Sequence, residues 1–375
     1  HFKTAMELDS SDLRSYVHLA DLERATGNLD AAVRYARLYL EAKPDDLDGY
    51  LLLGDLLLKT GDLNAAEERY EQAQLVEEPP LASTLRLALL AMRRAEWATA
   101  RELIGEARAM ASTPMQHSNV LAVEGWLEVR LGRIGRAIEL AGERLEFNRQ
   151  VMSPLQQIFN YDVALIEYNI SLGQLETAEQ MLQQTHDALQ PPMNQFLSFS
   201  EALLHARKQE IEAAEAALNV GVEAINRFKA DYLSFQIPLL NAEIALAHGD
   251  YSEAARHYQD AISGAGRSVL GSDRSIAGNL FAHQMAGLYG AGALAHARAG
   301  EAEQAQSLLD HAFQRDGAEP RLWMARALLQ QADGSPRMAL ASINYALAVW
   351  AEADPSYVDY REALEIRDAL AGGHE

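Results

Sequence analysis

The chain contains no cysteine. That removes a disulfide framework, a thiolate nucleophile and a thiolate metal site together, and it is equally compatible with a cytoplasmic or a periplasmic setting. Aromatic residues are also scarce, at 7%, although apolar residues reach 49%. Alanine carries much of that apolar share, which points to closely approaching helices rather than an aromatic core. Basic residues are outnumbered, 32 against 54 acidic ones, for a formal charge of -22. Such a field repels phosphate backbones and anionic lipid, so nucleic acid and membrane surfaces are disfavoured as partner classes. It suits solubility, and it suits a partner with basic flanks. No apolar run reaches the roughly 18 residues a membrane span needs, and no basic-then-apolar segment opens the sequence.

Catalytic chemistry is missing as well. The eleven histidines are scattered, and no two stand at His-Glu-x-x-His spacing on a helix face. Serines such as Ser112 and Ser268 have no nucleophile-elbow context. The stretch from Ser263 to Asp273 is glycine-rich, yet no strand precedes it and no Gly-Lys-Ser/Thr follows. It is expected to be a surface loop or extended linker. Neither an enzyme, a cofactor nor a metal site is expected.

What the chain does have is a double periodicity. Ala32, Ala66 and Ala100 recur at equal intervals, and each has a small partner a constant dozen places earlier, at Ala20, Gly54 and Ala88. The small pair continues as Gly125/Ala137, Ala202/Ala214, Ala242/Ala254, Ala293/Ala305 and Ala327/Ala339. Around Gly173 the first small site is Ile166. A third small position holds Ala73, Ala107, Ala261, Ala312 and Ala346, and in the unit around Gly173 it falls on Thr185. Apolar residues at i, i+3, i+4 and i+7 mark one helical stripe, as at Tyr50, Leu53, Gly54 and Leu57. Glycine recurs between paired helices at Gly27, Gly61, Gly132, Gly173, Gly249, Gly300 and Gly334. Gly61 is placed to end one helix in the left-handed conformation, and Asp62 to cap the next. Proline recurs between pairs instead, at Pro44, Pro79-Pro80, Pro114, Pro154, Pro191-Pro192, Pro320 and Pro355.

This pattern resembles the tetratricopeptide repeat, whose period is about 34 residues. The resemblance implies an all-α, right-handed α-solenoid of helix-turn-helix repeats. Gaps between second-helix alanines run 34, 34, 37, 41, 36, 40, 51 and 34, so the central units need longer helices or loops. Residues 11–355 read as nine tandem repeats and 356–375 as a terminal capping helix and tail. Residues 1–10 read as the second helix of a broken repeat, as if the chain were a piece of a longer protein.

In such arrays the first helix of each repeat lines the concave face, and the resemblance implies the same here. The inward places are then the second, fifth, ninth and twelfth of each repeat. They form an apolar lane of Leu51, Leu85, Leu89, Met92 and Trp126, edged by acids at Asp21 and Asp55. Relatives that clamp a C-terminal carboxylate use lysine and asparagine at such places, so that activity does not carry over. The lane is expected to seat a protein or peptide partner, helical or extended, with basic flanks; the expected contacts are Leu51, Asp55, Leu85, Leu89, Met92 and Trp126. The alternative is that helices of the same chain cover these side chains. The end of the chain, Ala348 to Pro355 and the helix after it, looks like the terminal repeats of large bacterial regulators. That leaves three rival roles: a sensory module of a larger signalling protein, a periplasmic exopolysaccharide-export scaffold, and a spacer with no specific ligand.

Overall fold

A computed structural model describes residues 13–149, 152–265 and 276–372. Among these residues the chain is helical and contains no strand. The fold is an α-solenoid of helix-turn-helix repeats. Helices succeed one another in pairs: Leu13–Ala25 with Leu29–Ala42, Leu47–Thr60 with Leu63–Val76, and Leu81–Arg93 with Trp97–Met110. Next come Pro114–Arg130 with Ile134–Asn148, Val163–Ser171 with Leu175–Ala188, and Ser198–Arg207 with Ile211–Phe228. Then follow Gln236–His248 with Tyr251–Ala265, Ile276–Arg298 with Ala302–Phe313, and Pro320–Ala332 with Pro336–Val349. Val358–Gly372 comes last. The expected half-repeat at 1–10 lies outside the described residues. Of the glycine-rich stretch, Ser263 to Ala265 complete a helix rather than starting a loop, and 266–273 lie outside the described residues.

The small sites do what the spacing requires. Ala20, Ala32, Ala66, Ala88 and Ala100 are each 0% exposed, because two backbones can approach to about 8–10 Å only over short side chains. Gly54 is the tightest case. A Cβ there would clash with the ring of Tyr70 on the paired helix. At Gly125 the register departs from this pattern, since a Cβ would meet nothing within 4 Å. All seven turn glycines adopt positive φ, between +68° and +88°. Two other turns reach the same conformation without glycine, through Ala95 and Gln209, both at φ +60°. After Gly61, the Asp62 carboxylate accepts from the Ala65 amide at 3.1 Å and caps the second helix.

By its contacts the chain divides into two compact units. The first holds the described residues of His1–Val123, Ala265–Met285 and Gln314–Ala318. Its core gathers Leu52, Leu53, Leu56 and Leu57 with Ala32, Ala66 and Tyr70. The short stretch Gln314–Ala318 folds back onto this unit. Arg93 donates to the Arg315 carbonyl at 3.3 Å, and the Arg315 Nε donates to the Lys59 carbonyl at 3.3 Å.

The second unit holds the described residues of Glu124–Gly264, Ala286–Phe313 and Glu319–Glu375. Its end returns to its beginning. The indole N–H of Trp350 donates to the Arg130 carbonyl at 3.2 Å, and the Arg130 guanidinium pairs with Glu319. The Asp354 amide donates to the Gly132 carbonyl at 2.9 Å. Helix Ile134–Asn148 has no side-chain cap of its own. Asp354 supplies one from 219 residues away, accepting from the Gly135 amide at 2.7 Å. Gly132 is required here twice over. Its φ is +73°, and a Cβ would lie 2.7 Å from that of Ala353 and 3.0 Å from the rings of Trp350 and Tyr357.

Candidate functional site

The ninth place of each repeat is where the first helices present their most distinctive side chains. In the first unit it holds Asp21, Asp55 and Leu89. In the second it includes Trp126, Glu167 and Glu243, and the acids fare differently from one another.

Asp21 pairs with the buried guanidinium of Arg24 at 2.8 Å. Asp55 is 3% exposed and receives three donors. Arg86, from the next first helix, binds it through Nε at 2.9 Å and Nη2 at 3.1 Å, and the Tyr70 hydroxyl donates at 2.8 Å. Burial raises the Tyr70 hydroxyl far above its ordinary pKa, and the Asp55 charge adds to the effect. Nearby, burial first and the Arg24 charge second pull Lys59 down to about 8.

In the second unit Glu243 accepts from Arg207 at 2.6 Å and from the Tyr258 hydroxyl at 2.9 Å. Arg321 on the helix Pro320–Ala332 binds Asp359 at 2.8 Å through Nε, and the Tyr357 hydroxyl donates to the same oxygen at 2.7 Å. Burial by itself would raise the Asp359 carboxyl. Arg321 and the Tyr357 hydroxyl outweigh burial and hold it below the usual carboxylate range. Arginine–carboxylate bridges thus link successive first helices in both units, buried at Asp55–Arg86 and part-exposed at Glu243–Arg207. The buried pair holds register, because removing either partner strands a buried charge.

Glu167 is the exception. It is the single charged side chain on Val163–Ser171, and that helix follows a π-helical turn at Ile158–Asp162. Among the described residues no hydrogen bond or ion pair reaches its carboxylate. The side chain is open to solvent, yet the surrounding protein displaces enough water to hold its carboxyl up at about 7. A carboxylate in a concavity behaves this way.

Five of the six residues expected to meet a partner are buried. Leu51 is 8% exposed, Leu85 0%, Leu89 1% and Met92 0%. Where an open apolar lane was expected over the first unit, these four side chains pack into the interior of that unit. Asp55, expected as an edge charge, sits at the centre of an internal bridge. The physical reason lies in contacts that repeat spacing does not encode, namely bridging between neighbouring first helices and the return of Gln314–Ala318.

Trp126, in the second unit, is only half-buried. The Arg130 guanidinium lies 5.7 Å from its ring centroid. Its indole nitrogen is buried and has no acceptor among the described residues. Side-chain type and repeat position singled out Trp126 from sequence as an expected contact; Glu167, at the equivalent place, was not singled out.

Among the described residues no group of three or more His, Asp or Glu side chains is placed to hold a metal ion. No helix there is long and apolar enough to cross a membrane.

Residues 13–46 and 47–78 match the sequence model of the tetratricopeptide repeat. No curated protein sequence matches the chain. Among solved structures it is similar to a tetratricopeptide repeat protein from Parabacteroides merdae ATCC 43184, at 14% identity and TM-score 0.42, over 78% of this chain and 98% of that one. It is similar to yeast Tom70 at 14% identity and TM-score 0.40, over 99% and 91% of the two chains. It is also similar to a Rap protein complexed with Competence and Sporulation Factor, at 13% identity and TM-score 0.45, over 87% and 98%.

Proposed function

We propose that this chain, a tetratricopeptide-repeat protein, is a non-enzymatic scaffold that holds a partner protein by a peptide or helix laid along first helices of its second unit. In this reading residues 11–355 act as nine repeats, with the helix Val358–Gly372 as their cap. The observation that carries the proposal is Trp126. Its half-open aromatic ring offers an apolar contact on a first helix. Tryptophan in this setting is among the residue types that most often dominate a protein–protein contact.

The test is a peptide-display selection against the folded chain, followed by titration of the selected peptides by fluorescence polarisation. Trp126→Ala should weaken their binding at least tenfold, and Trp126→Phe should recover much of the apolar contact. Unchanged affinity in Trp126→Ala, with only a lowered melting temperature, would make Trp126 a packing residue and remove the proposal's support.

A further inference from the structure

The ninth-place acids form a series in which the chain itself supplies the missing charge in every case but one. Asp21 has Arg24, Asp55 has Arg86, and Glu243 has Arg207. Glu167 has none among the described residues. The rest of its helix, Val-Ala-Leu-Ile before it and Tyr-Asn-Ile-Ser after it, carries no charge. The side chain is nevertheless exposed, so it is available from outside. The π-helical turn at Ile158–Asp162 inserts an extra residue just upstream and resets the register with which this helix presents its side chains. Turns of this kind concentrate at functional sites.

The neighbouring repeat sharpens the point, because its ninth place is Trp126. An aromatic position and an unpaired acid therefore occupy equivalent places on successive first helices of the same unit. Neighbouring packed helices lie about 8–10 Å apart. An extended peptide advances about 3.3 Å per residue, so side chains three places apart span that distance.

We propose that Glu167 receives a lysine or arginine side chain of the bound partner, next to an apolar residue seated on Trp126 three places away along the same segment. The inference rests on the scaffold reading above and specifies its partner: an extended segment with an apolar residue and a cation at that spacing. The internal bridges show what Glu167 is to be given, since its three counterparts each hold a guanidinium. Anionic or neutral segments leave the carboxylate desolvated and unpaired, and are disfavoured.

The test uses a fluorescein-labelled peptide with leucine and lysine three places apart, and its counterpart with glutamate at each lysine, titrated against the full chain at physiological salt. The lysine peptide should bind at least tenfold more tightly than the glutamate peptide. Glu167→Gln should remove most of that preference without lowering the melting temperature, and Glu303→Gln, an exposed acid on a second helix, should leave the preference unchanged. Trp126→Ala should weaken both peptides alike. If Trp126→Ala weakens binding but Glu167→Gln does not, the assignment of Glu167 is overturned while the scaffold survives. If Glu303→Gln reduces the preference as much as Glu167→Gln, diffuse acidic charge explains it and the site is overturned. If neither peptide binds, or Trp126→Ala has no effect on either, the scaffold reading fails and the inference with it.

Discussion

Asp55 and Arg86 stand 31 residues apart in sequence and meet as a two-bond ion pair, Nε to Oδ1 at 2.9 Å and Nη2 to Oδ2 at 3.1 Å. Their side chains are only 4% and 7% exposed, respectively. Removing one partner should therefore be far worse than removing both. Asp55→Asn or Arg86→Met alone is expected to cost about 3–5 kcal/mol, whereas an apolar pair of similar volume should approach wild-type stability. Urea denaturation of the two single variants and the double variant gives the coupling directly. Additive losses would show that the bridge contributes nothing as a unit.

The approach of the two helices in the second hairpin makes a different demand. Gly54→Ala drives a methyl into the Tyr70 ring, and Ala66→Leu adds bulk at a site that is 0% exposed. Each should destabilise by roughly 1–3 kcal/mol through overpacking. Gly125→Ala meets no neighbour within 4 Å and is expected to hold or slightly raise stability through helix propensity. Thermal melts that rank these three in another order contradict the packing described for Gly54.

Ala95 and Gln209 occupy left-handed turns at φ +60° that seven other turns assign to glycine. A side chain there costs about 1–2 kcal/mol relative to the right-handed region. Part of that is offset because glycine frees the unfolded chain. Ala95→Gly and Gln209→Gly should each stabilise by about 0.5–1 kcal/mol, measured by chemical denaturation. A loss of stability in both would mean that contacts of the two side chains outweigh the backbone strain.

The closure of the second unit depends on Asp354, which caps the first turn of Ile134–Asn148 through the Gly135 amide. Asp354→Ala should cost about 0.5–2 kcal/mol. Amide exchange should quicken selectively at residues 134–137 and in the loop 351–357. Gly132→Ala should do more, because strain at positive φ adds to the clash with Ala353. Exchange that rises uniformly across the chain is the outcome that contradicts a local cap.

Two groups predict opposite pH dependences. Lys59 falls from 10.5 to about 8 in the folded chain. Below pH 8 both states carry the proton and the native state bears a poorly solvated charge. Between pH 8 and 10.5 the native state releases it first, so stability rises with pH. Lys59→Met should be more stable than wild type by about 1–3 kcal/mol at pH 7, and the difference should shrink towards pH 10.5. Glu167 rises from 4.5 to about 7. Here the native state holds its proton longer than the unfolded chain, so stability is lost as pH climbs from 4.5 to 7. Glu167→Gln should match wild type at pH 4 and exceed it at pH 8. The gain should be no more than a few degrees in melting temperature, since the side chain still faces water. Parallel stability curves for wild type and variant would contradict either shift.

Repeat length, the small residues at most helix crossings, the left-handed glycines and the Asp62 cap were all legible in the sequence. Each is decided within one hairpin or between immediate neighbours, where a single repeat length of chain contains both partners of the contact. The partners of Asp55, the burial of Leu85 and Met92, and the landing of Asp354 on Gly135 were settled only by tertiary structure. The first two depend on how one first helix is turned against the next, and the last on that rotation summed over spacings that differ along the chain. Small angles accumulate along a solenoid, and no local window of sequence records their total. The same division separates Trp126, which pattern and side-chain type singled out, from Glu167, whose contrast with three arginine-paired counterparts is visible only in the tertiary structure.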